Sequence, residues 1–334
     1  MRQPSQTCLL LQHRCVRAVL ALLLLSLAPF CVTAETLTIG VATVPHSLPF
    51  FVAEHEGYFA QEASHVRLVD CFPGRQCLDQ LLAGKVQFAT AADTPIVSSS
   101  FVRSDFVVLS TFATSSNDIH VVGAKSAGIT TLKQLIGKKI GLIKGSSTDY
   151  FFDTVLLFDG IDPARVQKLN VPADQMAQAM QQHQIDAFVL FDPGLSQALT
   201  VLGDSVTVLS TPPIYLSTFN LITARSLIGK NDADMVKILR ALDRAQQFIK
   251  QHPEAAQHIL QQRLNMSRRT GKSINMQIDY MLSLDQTFIK TLEGEARWFG
   301  QQPGIKGVKP VNYLDFIYPS PLFQVRPKAV TIVK

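Results

Sequence analysis

The sequence predicts an α/β protein with two doubly wound lobes and a helical C-terminal region. Short apolar runs typical of buried strands alternate with helical segments from residue 37 onward. The alternation stops near residues 117–118 and then starts again, so the same βαβ pattern occurs twice in the chain. From residue 233 onward, apolar side chains recur at helical spacing instead.

Each half of the pattern consists of short strands separated by helices. In the first half, the predicted strands are 37–41, 66–69, 87–91 and 106–112, and the predicted helices are 50–59, 76–83 and 95–101. In the second half, the predicted strands are 119–122, 140–143, 166–169 and 187–191, and the predicted helices are 132–136, 150–157 and 175–182. Strands joined through helices are expected to lie parallel in one sheet.

The C-terminal region is predicted to be mostly helical up to residue 302. One face of its first helix carries a series of apolar residues: Met235, Ile238, Leu239, Leu242, Ala245 and Ile249. Pro253 should end this helix and start the next one, because proline fits the first turn of a helix but not its interior.

Residues 1–34 have the pattern of an export signal that is removed. Two arginines precede an apolar run over residues 18–30, and small residues lead to a cleavage site near Ala34. The run is shorter than the ~20 residues that span a membrane. Cys31 raises the alternative of lipid attachment, but the residues before it are too large for that signal. We therefore expect an exported, soluble protein.

The net charge and the cysteine content give further information about the partners and the covalent bonds of the mature chain. The full chain carries a formal charge of +5, and three of the positive charges are arginines within residues 1–34, so the mature chain carries +2. This balance argues against a nucleic-acid partner, which requires a clustered basic patch. Cys71 and Cys77 are the cysteines of the mature chain, and their spacing in an exported protein predicts a disulfide. A pair of free thiols is the alternative.

Polar and small residues follow the predicted strands, where ligands bind in open α/β sheets. They are candidate ligand contacts: His46, Ser47, Gly74, Arg75, Asp93, Thr94 and Ser115 from the first half, and Ser146, Ser147, Thr148 and Asp192 from the second. Each is also explained as an ordinary turn or helix cap. Asp93 and Thr94, before Pro95, have the pattern of such a cap.

The segment 144–148 is the most informative of these groups. A buried strand ends before Gly145, and three hydroxyl residues, Ser146 to Thr148, follow at a predicted helix start. Free N–H groups at a helix start favour an anion. Arg75 adds a possible charge-assisted bond to the anion, whereas Asp93 and Asp192 suit an ammonium if the ligand is zwitterionic, as taurine is.

Several motifs together resemble the periplasmic substrate-binding proteins of ABC transporters. They are GYF at 57–59, GKVQFA at 84–89, ADTP at 92–95, LKQLIGKKIG at 132–141, KGSS at 144–147, QIDA at 184–187 and FDP at 191–193. The closest branch is the nitrate, sulfonate and taurine group, which is related to thiamine-precursor binders. One departure is Phe191, where family members usually have tryptophan.

The resemblance implies a type II periplasmic-binding-protein fold, in which two lobes close on a ligand about a hinge of two chain crossings. We expect lobe I at 35–117 and 221–334 and lobe II at 118–220, with crossings near residues 117–118 and 218–220. The implied partners are an ABC permease and its ATPase, with the binding protein acting as a monomer. No cofactor and no catalytic activity of its own are expected.

The residues themselves also lack a catalytic or metal-binding pattern. The seven histidines of the mature chain are scattered, and none forms a pair at helical spacing. Met176 and Met180 lie at helical spacing, which more often indicates core packing than a cofactor site. Two alternatives stay open: a ligand-sensing module for a signalling partner, and a protein of thiamine-precursor binding or synthesis.

Overall fold

The structure is a computed structural model that describes residues 36–72, 74–265, 277–302 and 310–333. The described residues from Thr36 onward belong to one compact unit. The predicted export signal, including Cys31 and the cleavage site at Ala34, lies outside the described residues. Within them, no helix combines the length and apolarity that crossing a membrane requires.

Ten strands form two five-stranded sheets in the described part of the chain. The first sheet has the order β2-β1-β3-β10-β4, with β1 at Leu37–Ala42, β2 at Val66–Cys71, β3 at Phe88–Ala92, β4 at Phe106–Ser115 and β10 at Ser217–Ala224. β1 pairs parallel with β2 and β3, and β10 pairs antiparallel with β3 and β4. We call the part of the chain built on this sheet lobe I.

The second sheet repeats this arrangement with a shorter stretch of chain. Its order is β7-β6-β8-β5-β9, with β5 at Ile119–Ala124, β6 at Lys139–Leu142, β7 at Gln167–Asn170, β8 at Ala187–Phe191 and β9 at Val206–Val208. β6 pairs parallel with β7 and β8, whereas β5 pairs antiparallel with β8 and β9. We call the part built on this sheet lobe II. The prediction of two α/β lobes is confirmed, and each sheet is mixed rather than wholly parallel.

The chain passes between the sheets at two places. Residues 116–118 join β4 to β5, and residues 209–216 lead from β9 back to β10. The predicted second crossing, at residues 218–220, falls within β10, so the return lies a few residues earlier in the chain. A run of eight strand residues there, Ser217–Ala224, is almost entirely buried between β3 and β4.

The helices cover the faces of both sheets. In lobe I they are α1 at Leu48–His55, α2 at Tyr58–Gln61, α3 at Gly74–Leu82 and α4 at Asp93–Ser100. In lobe II they are α5 at Ser147–Phe158, α6 at Met176–Gln181 and α7 at Gly194–Leu202. The C-terminal helices are α8 at Asp232–Gln251, α9 at Pro253–Arg263, α10 at Gln286–Phe299 and α11 at Ser320–Val325. They pack on lobe I, which confirms the helical character predicted for this region.

Strand alternation explains why lobe II has a separate core on each face of its sheet. Successive side chains of a strand point to opposite faces. In β8, Ala187 and Val189 pack in the core with α5, whereas Phe188 and Leu190 pack in the core with α6 and α7. Met176 is fully buried in this second core, as its helical spacing predicts.

The predicted disulfide between Cys71 and Cys77 is confirmed. It joins the end of β2 to α3, with the two Cα atoms 5.5 Å apart and both residues buried in the core of lobe I. The bridged segment contains Arg75 in the first turn of α3. The disulfide therefore restricts the first turn of α3, from which Arg75 projects.

Replacing both Cys71 and Cys77 by serine is expected to lower the free energy of unfolding by roughly 2 kcal/mol, the chain-entropy value for so short a loop. Urea denaturation of the two proteins measures the difference. Mass spectrometry of the non-reduced wild type should show a mass lower by two hydrogens. Two thiols that react with an alkylating agent before any reduction would contradict the disulfide.

Candidate functional site

The two sheets present the ends of their strands to a common cleft of about 670 Å³, counting the space that is open to solvent. Lobe I contributes residues at the ends of β1 and β3 and at the start of β10. Lobe II contributes residues after β6, at the end of β8 and at the start of β5. The lining residues are Ala42, Val44, Arg75, Ala92, Pro95, Asp118, Ile119, Ile143, Ser146, Ser147, Phe191, Ser217 and Phe219.

The strand order of the second sheet sets the order in which side chains lie along the lobe II side of the cleft. From β6 through β8 to β5, the wall runs from Ser146 and Ser147 past Phe191 to Asp118. Because β8 lies between β6 and β5, the hydroxyl end and the carboxylate end of this wall lie on opposite sides of Phe191. Most of the side chains between them are apolar. The cleft therefore has two polar ends and an apolar middle.

The hydroxyl end is built by the sharp turn between β6 and α5. Gly145 adopts a left-handed conformation with φ +71°, and its N–H donates to the Asp149 carboxylate at 2.9 Å. Ser146 then caps α5, because its side-chain oxygen accepts from the Thr148 N–H at 3.2 Å. Ser147, the first residue of α5, faces the cleft beside it.

Thr148, which the sequence predicts as a ligand contact, is not among the residues that line the cleft. Thr148 is fully buried, and its hydroxyl lies 2.8 Å from the Ser146 Oγ rather than in the cleft. Lys144 is exposed, and its backbone N–H donates to the Asn170 side chain at 3.0 Å. The second position of a helix turns away from the first, which places Thr148 toward the end of β6.

Asp93 and Thr94, at the start of α4, are buried behind the cleft wall. The Asp93 carboxylate accepts from the Tyr215 hydroxyl at 2.7 Å, the Thr218 N–H at 2.9 Å and the Thr94 N–H at 2.9 Å. These internal donors satisfy it, so the geometry does not support the predicted ammonium contact. Ala92 and Pro95 line the cleft in its place.

Asp192 and Ser115 also have partners inside the protein. The Asp192 carboxylate accepts from the Ser196 N–H at 2.8 Å and so caps α7. The Ser115 hydroxyl donates to the Gln277 carbonyl at 2.7 Å. For both residues the structure fits the alternative interpretation, a cap or a turn, whereas the neighbouring Phe191 lines the cleft.

Arg75 lies at the rim of the cleft, where half of its side chain is exposed. Its Nη1 donates to the Ser98 hydroxyl at 2.8 Å, and its Nε donates to Asp79 at 3.2 Å. The guanidinium group has five N–H donors, so these bonds leave others for a ligand. Gly74 begins α3 directly before it.

The carboxylate end of the cleft is built by Asp118 of the first crossing, Ser217 and Phe219 at the start of β10, and His46 after β1. The Asp118 carboxylate accepts from the Ser217 hydroxyl at 3.0 Å, and the His46 Nε2 lies 3.2 Å from its Oδ2. The His46 ring stacks on Phe219, with ring centroids 3.8 Å apart. Ser47 is buried beside His46, and its hydroxyl has no hydrogen-bond partner in the described part of the chain. Sequence reasoning missed Asp118, Ser217 and Phe219 as cleft residues.

A family model described as NMT1/THI5 like matches residues 44–256, which is more than half of the chain. The chain belongs to the NMT1/THI5-like family. The resemblance predicted from the sequence motifs is therefore confirmed.

Relatives that match this chain in sequence are named as binding proteins. A protein of Escherichia coli K12 named for binding aliphatic sulfonates is 24% identical over 84% of this chain and 86% of its own length. A Bacillus subtilis 168 protein of the same name is 24% identical over 62% of this chain, and the match spans only 64% of that protein. The crystal structure of the periplasmic aliphatic sulphonate binding protein SsuA from Escherichia coli superimposes with a TM-score of 0.73 at 20% identity, covering 85% of this chain and 97% of SsuA. That likeness shows a shared fold.

This NMT1/THI5-like chain also contains a buried acidic cluster behind the cleft. Burial raises the pKa of Asp93 to about 6, although the bonds from Tyr215, Thr218 and Thr94 lower it. Burial and the nearby Asp93 charge raise the pKa of Glu295, on α10, well above its usual range. Burial and the same two carboxylates also raise the pKa of the Tyr215 hydroxyl.

The Ser217 hydroxyl donates to the Asp118 carboxylate, and His46 lies on the other side of that carboxylate. Over the described ranges, no three His, Cys, Asp or Glu side chains group as a metal site requires.

Proposed function

We propose that this protein captures a small organic anion of the sulfonate class in the periplasm and delivers it to an ABC permease, as a monomer without chemistry of its own. The observation that carries the proposal is the cleft with a hydroxyl-rich helix start facing an apolar wall. The names of the relatives support the same ligand class. The leader pattern of residues 1–34 supports export.

The hydroxyl end of the cleft suits the anionic group of such a ligand. Ser147 offers a hydroxyl group at the positive end of the α5 dipole, whereas the Ser146 hydroxyl donates to the Ile143 carbonyl at 2.7 Å. Arg75 adds a cation at the rim. Hydrogen bonds to a charged group contribute about 1.5–3 kcal/mol each. The apolar middle, with Phe191 and Phe219, suits a carbon body. Nitrate would leave this part of the cleft empty.

Asp118 at the other end favours a ligand that also carries an ammonium group. Its carboxylate is buried but lines the cleft, and the Ser217 and His46 contacts leave acceptor capacity on it. A second anionic group there would be repelled. We propose that Asp118, rather than Asp93 or Asp192, contacts the ammonium of an aminosulfonate such as taurine.

Isothermal titration calorimetry with four compounds tests both parts of the proposal. Taurine and 1-propanesulfonate have the same number of heavy atoms and differ by an ammonium in place of a methyl group. Both should bind more tightly than nitrate, and taurine should exceed 1-propanesulfonate by about tenfold, the effect of one charge-assisted hydrogen bond. In Asp118→Asn the preference for taurine should largely disappear.

The outcomes separate the two parts. Tight binding of 1-propanesulfonate with no preference for taurine would reject the role of Asp118 and leave the sulfonate proposal standing. Binding of a neutral pyrimidine, the fourth compound, with no binding of any anion would contradict the proposed function and favour the thiamine-precursor alternative. Uptake of the bound solute by cells with and without the gene tests delivery to a permease, because a sensing module would leave uptake unchanged.

A further inference from the structure

A cluster of four buried side chains lies directly behind the hydroxyl end of the cleft. Asp93 and Thr94 come from α4, Tyr215 from the second crossing and Glu295 from α10. The Tyr215 hydroxyl lies 2.7 Å from Asp93 Oδ1 and 3.2 Å from Glu295 Oε1. The Thr94 hydroxyl lies 3.2 Å from Glu295 Oε1. Two carboxyl groups thus share the hydroxyl of Tyr215.

This cluster holds fewer donors than two carboxylates need. Neither Asp93 nor Glu295 forms an ion pair with a cation of the described residues, and Glu295 Oε2 has no hydrogen-bond partner there. An ionised oxygen buried without a partner is costly, and two neighbouring carboxylates resist ionising together. Asp93 accepts three bonds of 2.7–2.9 Å, whereas Glu295 accepts only two bonds, both of 3.2 Å. The extra proton therefore belongs on Glu295.

The cluster is connected to the cleft through one hydrogen bond between the lobes. The Thr94 Oγ1 lies 2.9 Å from the Ser147 Oγ, and either hydroxyl can donate. If Glu295 is ionised, Thr94 donates to Glu295, and Ser147 must donate its proton to Thr94. If Glu295 is protonated on Oε1, it donates to Thr94, and Thr94 donates to Ser147. The Ser147 proton is then free to point into the cleft.

We propose that Glu295, in its protonated form, is a positioning residue that directs the Ser147 O–H toward the anionic group of the ligand. The proposal rests on the proposed function, since it assigns the anion to the Ser147 end of the cleft. Ionised Glu295 would reverse the chain of hydroxyl groups and present a lone pair of Ser147 to the anion. Anion affinity is then linked to the proton on a residue that never touches the ligand.

The direction of the pH dependence follows from the charges around Glu295. The titratable or charged groups that face the cluster are Asp93, Asp118, Tyr150, Tyr215 and Tyr313, with Glu293 and Arg297 on the helix of Glu295 itself. Burial and the Asp93 charge raise the pKa of Glu295, so the protonated form persists above the usual range of a carboxylic acid. Anion affinity should fall as the pH rises through that raised pKa.

Calorimetry with 1-propanesulfonate from neutral pH upward tests this direction. This probe stays fully ionised over the whole range, so its own charge does not change. Wild-type affinity should fall by about tenfold across the titration, the effect of one hydrogen bond to a charged group. In Glu295→Gln the side-chain amide can donate to Thr94 at every pH. This variant should keep the low-pH affinity of the wild type and lose the pH dependence.

Thr94→Val is the matched control, because it keeps the shape of Thr94 and removes the hydroxyl that connects Glu295 to Ser147. Its affinity should also be independent of pH. If Glu295→Gln or Thr94→Val retains the wild-type pH profile, a group other than Glu295 sets that profile and the proposal is wrong. A flat wild-type profile would also overturn it.

Infrared spectroscopy of the ligand-free protein tests the proton itself, independently of any ligand. The wild type at neutral pH should show the carbonyl stretch of a buried carboxylic acid, and Glu295→Gln should lack it. Absence of that band would overturn the proposal. If 1-propanesulfonate does not bind at any pH, the proposed ligand class fails, whereas the infrared band and its change in Thr94→Val still decide where the proton resides.

Discussion

Replacing Lys168 by methionine is expected to lower the free energy of unfolding by about 3–5 kcal/mol, the loss found when one partner of a buried ion pair is removed. The Lys168 ammonium lies 2.8 Å from both the Asp149 and the Asp153 carboxylates. The two carboxylates are over 90% buried and the lysine side chain is 19% exposed, so solvent screens the group only weakly. Without Lys168 both negative charges would remain buried beside each other on α5.

Burial is the largest influence on the pKa of Lys168 and lowers it, but the two carboxylates together outweigh burial and leave the pKa raised. The ammonium therefore stays charged throughout the neutral range, and its contribution to stability should be lost only as the pH rises through the raised pKa.

Urea denaturation at neutral pH measures the difference, and Lys237→Met is the matched control. Lys237 pairs with Asp234 one turn away on α8, at 3.4 Å and with about a third of each side chain exposed. Removing such a surface pair should cost less than about 1 kcal/mol. Equal, small losses in both variants would mean that the Lys168 cluster does not stabilise lobe II.

The cluster of Lys168, Asp149 and Asp153 also connects α5, at the edge of the cleft, to α10. The Trp298 indole N–H donates to Asp153 at 2.9 Å, and its ring contacts Tyr150 edge-on at 5.5 Å. Trp298 is the one tryptophan of the sequence. Its fluorescence therefore reports the contact between α10 and α5, where the two lobes meet beside the cleft. A change in Trp298 fluorescence on ligand binding would therefore indicate that the two lobes move relative to each other.

Local sequence patterns were sufficient to predict the disulfide, the division into two sheets and eight of the ten described strands, but not β9 and β10. Strand ends were also identified correctly as the places from which cleft residues come, because period and turn residues are local signals. The same local signals could not say which side chain of a turn faces the cleft. Ser147 and Thr148 are adjacent, and packing against the end of β6 alone decides that Thr148 is buried.

Contacts between distant parts of the chain explain what the sequence could not indicate. Thr94 and Glu295 are 201 residues apart, and Tyr215 and Asp93 are 122 residues apart. Considered alone in the sequence, each of these polar residues is typical of the surface or of a helix cap. Only folding places them in one buried cluster. Asp118 carried a usable signal, because it lies directly beside the first predicted crossing, where a cleft between two lobes must end.

The double substitution of Ser146 and Ser147 by alanine is expected to weaken binding of the sulfonate ligand at least tenfold. Both residues line the cleft at the start of α5, where the helix dipole favours an anion, and the Ser147 hydroxyl is the one that does not donate to the backbone. Loss of one hydrogen bond to a charged group costs about 1.5–3 kcal/mol, and ~1.4 kcal/mol corresponds to a factor of ten in affinity. Calorimetry with 1-propanesulfonate measures the change.

Two further variants separate ligand contact from helix capping. Ser146 also caps α5, so its loss should lower stability by about 1 kcal/mol. Ser147 does not cap the helix, but its hydroxyl bonds Thr94 of the other lobe, so Ser147→Ala should affect binding and the contact between the lobes while leaving the cap intact. Thr148→Val removes a hydroxyl that lies 2.8 Å from Ser146 but does not line the cleft, and it should bind nearly as well as the wild type. If Thr148→Val weakens binding more than Ser147→Ala, the ligand approaches α5 from the side of Thr148. If the double variant folds and binds like the wild type, the start of α5 serves only as a cap, and the anion must be held elsewhere, with Arg75 the next group to test.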